Sequence, residues 1–205
     1  MSATERDATV VTVPSLREYF REALHGALAH QHVTVEGQTE QYVVNLLTLF
    51  ARAEHAYEGA EGSRFPPLAR LFAQAASAAG EARERALQRL GDLSLFLAGF
   101  FAHGFARSLV DVDYHVAMGG RAYGALAESL VRGRRRVLGQ VYAELADKFL
   151  PMVDALGEVS DSGRMFSEAD VLRLYEIWLR TGSPRARSLL GQLGVQATPV
   201  ALRAH

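Results

Sequence analysis

Apolar residues recur along the chain at steps of three and four, and segment after segment predicts an amphipathic helix. The first clear segment opens after Pro14, with Ser15 placed to cap it and Glu18 three residues later to complete a capping box. Its apolar positions are Leu16, Tyr19, Phe20, Ala23, Leu24, Ala27 and Leu28, which draw one face. "HQHVTVEGQ" breaks the pattern. A second helix is expected from about Thr39 to Tyr57, with Val43, Leu46, Leu47 and Phe50 inward. "EGAEGSRFPP" ends it, because glycines and a proline pair interrupt helices strongly. A third runs to about Ala79, with Leu68, Leu71, Phe72 and Ala75 inward.

The stretch from Glu81 to Ala106 reads as one long helix or as two joined at Gly91-Asp92, where Asp92 would serve as a new N-cap. Helices are then expected from about Asp113 to Val131 and from about Arg135 to Val159, the latter kinked or restarted at Pro151. Another starts at Ser167, and Ser183-Pro184 opens a short last one, serine as cap and proline in the first turn. No segment alternates like a strand. The expected fold is all-α: a single-domain bundle of about seven to eight helices over residues 15–195, flanked by a flexible N-terminal segment (1–14) and a flexible tail (196–205).

At its centre a helix hairpin, antiparallel and spanning about 92–131, is expected. Small residues mark both arms: Gly99, Ala102 and Ala106 on the first; Ala117, Gly120, Gly124 and Ala127 on the second. Glycine inside a helix costs roughly 1 kcal/mol relative to alanine, so the Gly119-Gly120 pair needs a compensating gain. Close passage of the two helices supplies one, with Gly99 opposite Gly120. The alternatives are a slot admitting a flat or elongated ligand, as helical bundles do build, or a hinge.

Composition narrows the options. The chain has 205 residues, 49% of them hydrophobic, and a net charge of −1, the balance of an ordinary globular protein and not of a general nucleic-acid binder. Lys148 is its single lysine, which reflects coding composition. Without cysteine there is no disulfide framework, thiolate metal site or cysteine nucleophile. "MSATERDATVVTV" lacks a signal-peptide core, and "LSLFLAGFFAHGFA" is shorter than the ~20 residues a membrane span needs. A cytoplasmic location and no membrane span are therefore expected.

Four constellations hold candidate chemistry. Di-iron bundles need two Glu-x-x-His pairs; this chain offers Glu22-Ala-Leu-His25 alone, on a polar face near His30 and His32, so no metal and no cofactor is expected. The segment "DVDYHVAMGG" gathers Asp111, Asp113, Tyr114, His115, Gly119 and Gly120, with His103 at the same end of the hairpin: a candidate ligand-binding cluster. An aspartate there would orient an imidazole for acid–base work, but no nucleophile accompanies it, and helix capping by either aspartate is the simpler role. Glu54 edges an apolar stripe, where a side chain near a helix end can snorkel. Arg132, Arg134, Arg135 and Arg136 form a candidate surface for an acidic partner, or simply a solvated helix end.

The chain's length, its helical make-up and the segment "DVDYH" resemble the cytoplasmic redox-enzyme maturation chaperones, which recognise partner signal peptides. In that family an aspartate is followed directly by histidine with a glutamate nearby. Here Tyr114 separates Asp113 from His115 and a glycine pair follows, so the resemblance assigns no functional residue. With no catalytic constellation in view, the expected function is that of a non-enzymatic interaction or accessory protein with a protein partner or a second copy of itself. The alternative is a binder of a small apolar molecule between the helices around Gly99 and Gly120; a metal-dependent enzyme ranks below both.

Overall fold

The computed structural model describes residues 15–56, 68–100, 112–131, 135–161 and 168–195. Nine helices occupy them: α1 (Leu16–His30), α2 (Gly37–Ala56), α3 (Leu68–Ser77), α4 (Gly80–Phe100), α5 (Val112–Leu130), α6 (Arg136–Asp147), α7 (Phe149–Asp161), α8 (Glu168–Thr181) and α9 (Pro184–Gln192). No strand occurs among the described residues, and no helix there is long and apolar enough to cross a membrane.

Local chemistry sets several helix ends. Ser15 Oγ accepts from the Glu18 N–H at 3.2 Å, and the Glu18 carboxylate accepts from the Ser15 N–H at 2.9 Å, the reciprocal capping box. Ser183 Oγ accepts from the Ala186 N–H at 3.0 Å, with Pro184 as the first residue of α9. The helix expected from Arg135 to Val159 is two, broken at Lys148. Pro151 lies in the first turn of α7, where its missing N–H removes no intrahelical bond.

Conversely, α4 is continuous through Gly91 and Asp92, so Asp92 is no cap. The reason is the ring of Tyr123. A Cβ on Gly91 would fall 2.6 Å from Tyr123 Cε1, so this glycine makes room for a neighbour instead of ending a helix.

The centre of the bundle is α4, packed against α5, α3 and α7; α5 in turn packs on α6, and α1 on α2 and α7. On α4 and α5, Asp92 lies at Tyr123 and Ser94 at Gly119, which sets the register of the pair. Leu24, Leu47, Leu90, Leu95, Leu126, Leu145, Met152 and Leu156 are buried in one continuous core. Two residues expected inward face out: Tyr19 and Phe72 are about half exposed.

The expected pairing of Gly99 with Gly120 is corrected. A Cβ on Gly99 would overlap Leu156 of α7, and one on Gly119 would lie 2.5 Å from Phe149 Cε2 and 2.8 Å from Ser94 Cβ. At Gly120 the nearest atoms, in Ala146 and Phe149, are 3.8 Å away, an ordinary contact. The tight crossing of α5 is therefore at Gly119, and α7 side chains fill the space beside Gly99 and Gly119 that was open to a ligand slot.

Candidate functional site

Of the segment "DVDYH", the described residues Asp113, Tyr114 and His115 do not converge on one site. Successive helix residues point about 100° apart. Asp113 and Tyr114 accordingly face out, Asp113 3.9 Å from Arg180, whereas His115 is buried at 2% exposure. Burial pushes the His115 imidazole down to about 4, so it is neutral near pH 7. His103 and Asp111 lie outside the described residues, as do Arg132 and Arg134 and the side chain of Glu54. Arg135 pairs with Glu84 on α4, and Arg136 opens α6 with its side chain exposed. His25 meets Glu40 of α2 at 3.2 Å, and the described residues contain no group of three or more metal-ligating side chains.

Instead, the structure assembles two polar clusters. The first lies inside the bundle, where Asp92 Oδ1 accepts from Tyr42 Oη of α2 and Tyr123 Oη of α5, both at 2.7 Å. Gln88 Nε2 donates to Tyr42 Oη at 3.2 Å, and Tyr142 of α6 stacks on Tyr123 with ring centroids 5.6 Å apart. Burial raises the Asp92 carboxyl to about 6, against the lowering effect of the tyrosine hydroxyls. Burial and the neighbouring carboxylate raise the Tyr123 phenol well above its ordinary value. This cluster joins α2, α4 and α5 through hydrogen bonds, with Tyr142 of α6 stacked on Tyr123.

The second cluster borders a groove of about 690 Å³ between the end of α1, α7 and α9. It starts from a line in the sequence of α7: Asp154, Glu158 and Asp161 stand at i, i+4 and i+7 on one helix face. Glu158 binds the end of α1, with His30 Nδ1 2.9 Å from Oε1 and Gln31 Nε2 donating to Oε2 at 2.8 Å. Asp154 binds the start of α9, accepting from Ser183 Oγ at 2.6 Å and from the Arg185 N–H at 3.4 Å. Asp161 takes the Arg185 guanidinium. Gly157 lets that guanidinium cross α7, since a Cβ there would lie 2.9 Å from Arg185 Nη1.

Burial raises the Asp154 carboxyl, and the bonds from Ser183 and Arg185 only partly oppose it. Val33, Leu150, Pro151 and Leu189 supply the apolar part of the lining. A groove of this size, mostly apolar with a few convergent polar groups, has the usual make-up of a binding cleft. Its carboxylates are engaged by groups of the chain itself. The Ser183 hydroxyl both caps α9 and donates to Asp154, and it is buried.

Sequence reasoning missed this groove. The available signal was Asp154 inside the apolar run "FLPMVDALG", where an acidic side chain needs a specific partner. A scan against protein-family models, and searches of curated proteins and of solved structures, return no match.

Proposed function

We propose that the chain is a non-enzymatic helical interaction protein, of adaptor or assembly-factor type, which receives a segment of a partner protein in the groove between α1, α7 and α9. One observation carries this reading. The groove joins an apolar lining to a rim whose carboxylates Asp154, Glu158 and Asp161 all serve to hold helices, so the site is built to present a fixed surface. Preorganised surfaces of this kind favour binding, because little ordering cost remains.

The alternative, a small apolar molecule as ligand, is supported by the same volume but relocated: it would lie at Leu150 and Leu189 and not between Gly99 and Gly120. To test both, a photo-crosslinking residue is placed at Leu189 and, as control, at exposed Leu172 on α8. A protein adduct formed only from position 189 is then purified and its binding to the wild-type chain measured. That binding should be lost in Leu150→Arg. Native mass spectrometry that instead finds a stoichiometric small molecule, absent from Leu150→Arg, would support the alternative. Neither result would refute the groove as the site.

A further inference from the structure

A different face of the bundle points to a second copy of this chain. Between α5 and α6 runs an open groove of about 670 Å³, and its walls are small: Gly124 and Ala127 on α5, Gly139, Ala143 and Ala146 on α6. Exposed Val131 extends its apolar surface at one end. Gly139 is explained within the protomer, because a Cβ there would lie 3.2 Å from Leu130 Cβ. Gly124 is not: among the described residues the one neighbour of a Cβ would be Ala146 Cβ at 3.9 Å, an ordinary contact. Glycine in mid-helix weakens α5 relative to alanine, and packing among the described residues gives no return for it. What glycine does provide is a surface that another helix can approach closely.

The charges of the groove specify the occupant. Arg136 stands at its α6 N-terminal end, beside Glu128 of α5, and Asp147 at the α6 C-terminal end. They are eleven residues apart, about 16 Å along the helix. Along α6 itself the groove residues run from a cation to an anion, so two α6 helices set antiparallel about a two-fold axis near Ala143 would bring Arg136 of each to Asp147 of the other. Two-fold pairing sets each patch against its own copy, the commonest arrangement of soluble oligomers.

We propose that this face is a homodimer interface, in which α6 of each protomer lies against the other's groove and Arg136 of one faces Asp147 of its partner. The reversed charge order is what makes the pairing specific, since a parallel arrangement would set Arg136 against Arg136 and Asp147 against Asp147.

Sedimentation equilibrium over roughly a hundredfold range of concentration tests this, because the dimer fraction rises with concentration. The expected result is a reversible dimer. Ala143→Arg, at an exposed position, should abolish it with the monomer's circular dichroism spectrum unchanged. Arg136→Glu and Asp147→Arg should each weaken association by at least about tenfold, and the double variant should restore it. A monomer throughout the range overturns the proposal. So does a dimer indifferent to Ala143→Arg, which would use another face, or a double variant no tighter than the single ones, which would refute the two-fold pairing.

Discussion

Gly119 and Gly120 are neighbours in sequence, yet replacing each with alanine should shift stability in opposite directions. At Gly119 the added methyl would lie 2.5 Å from Phe149 Cε2 and 2.8 Å from Ser94 Cβ, where carbon atoms normally approach to about 3.5–4.0 Å. Neither obstacle gives way easily. Ser94 is fully buried on α4, and the Phe149 ring packs against Tyr123, which itself binds Asp92. Overpacking of this kind costs roughly 1–3 kcal/mol, and the better helix propensity of alanine returns up to about 1 kcal/mol. At Gly120 the methyl meets atoms no closer than 3.8 Å, so the propensity gain stands almost alone. The two variants should therefore differ by about 2 kcal/mol, Gly119→Ala below wild type and Gly120→Ala at or above it. For a chain of this size each kcal/mol corresponds to about 2–4 °C in Tm, giving a separation of about 4–8 °C. Thermal and urea denaturation followed by far-ultraviolet circular dichroism measure it. If Gly120→Ala were the more damaging of the two, the rotation of α5 and the crossing assigned to Gly119 would be wrong.

Gly91→Ala should destabilise by about 1–3 kcal/mol in the same assay, because its methyl displaces the Tyr123 ring from Asp92. Ser183→Ala should cost about 2 kcal/mol, since it removes the α9 cap and takes a hydrogen bond from the buried Asp154 carboxylate. The Asp92 carboxyl, raised to about 6 when folded against roughly 3.9 unfolded, contributes stability that is complete below pH ~4 and lost as pH rises through about 6. Asp92→Asn should match wild type in acid and exceed it by up to about 3 kcal/mol near neutrality; urea midpoints at both pH values check the sign. His115, lowered to about 4 against roughly 6.5 unfolded, acts oppositely: its stability is complete above pH ~6.5 and lost as pH falls through about 4. His115→Leu should therefore flatten acid unfolding, and an unchanged profile would place the imidazole in water.

What the sequence made legible was governed by near neighbours. The Ser15–Glu18 box and the Ser183–Pro184 start of α9 each depend on residues within three positions, so spacing alone identifies them. The apolar periodicity likewise predicted the core at Leu24, Leu28, Leu47 and Leu71. Failures came where a distant segment decides. Gly91-Asp92 has the form of a break and a cap, but Tyr42, fifty residues before Asp92, and Tyr123, thirty-one after it, supply hydrogen bonds that keep the carboxylate inside a continuous helix. The rotation of α5 that selects Gly119 over Gly120 is set by Phe149 arriving on α7, which no pattern local to α5 contains. Nor does local spacing show that His115 turns inward while Asp113 and Tyr114 turn out.

The acidic residues of α7 show how the same physics separates scaffold from surface. An aspartate within an apolar run is costly to bury unless hydrogen bonds meet its charge. Asp154 has the Ser183 hydroxyl and the Arg185 N–H, and both exist only if α9 begins where Gly182, at a φ of +69°, turns the chain onto α7. Glu158 imposes the same condition on the end of α1 through His30 and Gln31. Each carboxylate thus penalises any arrangement that misplaces a neighbouring helix, which apolar packing alone does weakly. Among the described residues none closes over the apolar lining at Leu150, Pro151 and Leu189, although the helices around it are fixed by three carboxylates. That combination, rigid edges around an apolar lining left open by the described residues, is the physical reason for proposing binding at this groove and architecture for the Asp92 cluster, whose carboxylate is met by hydrogen bonds within the bundle.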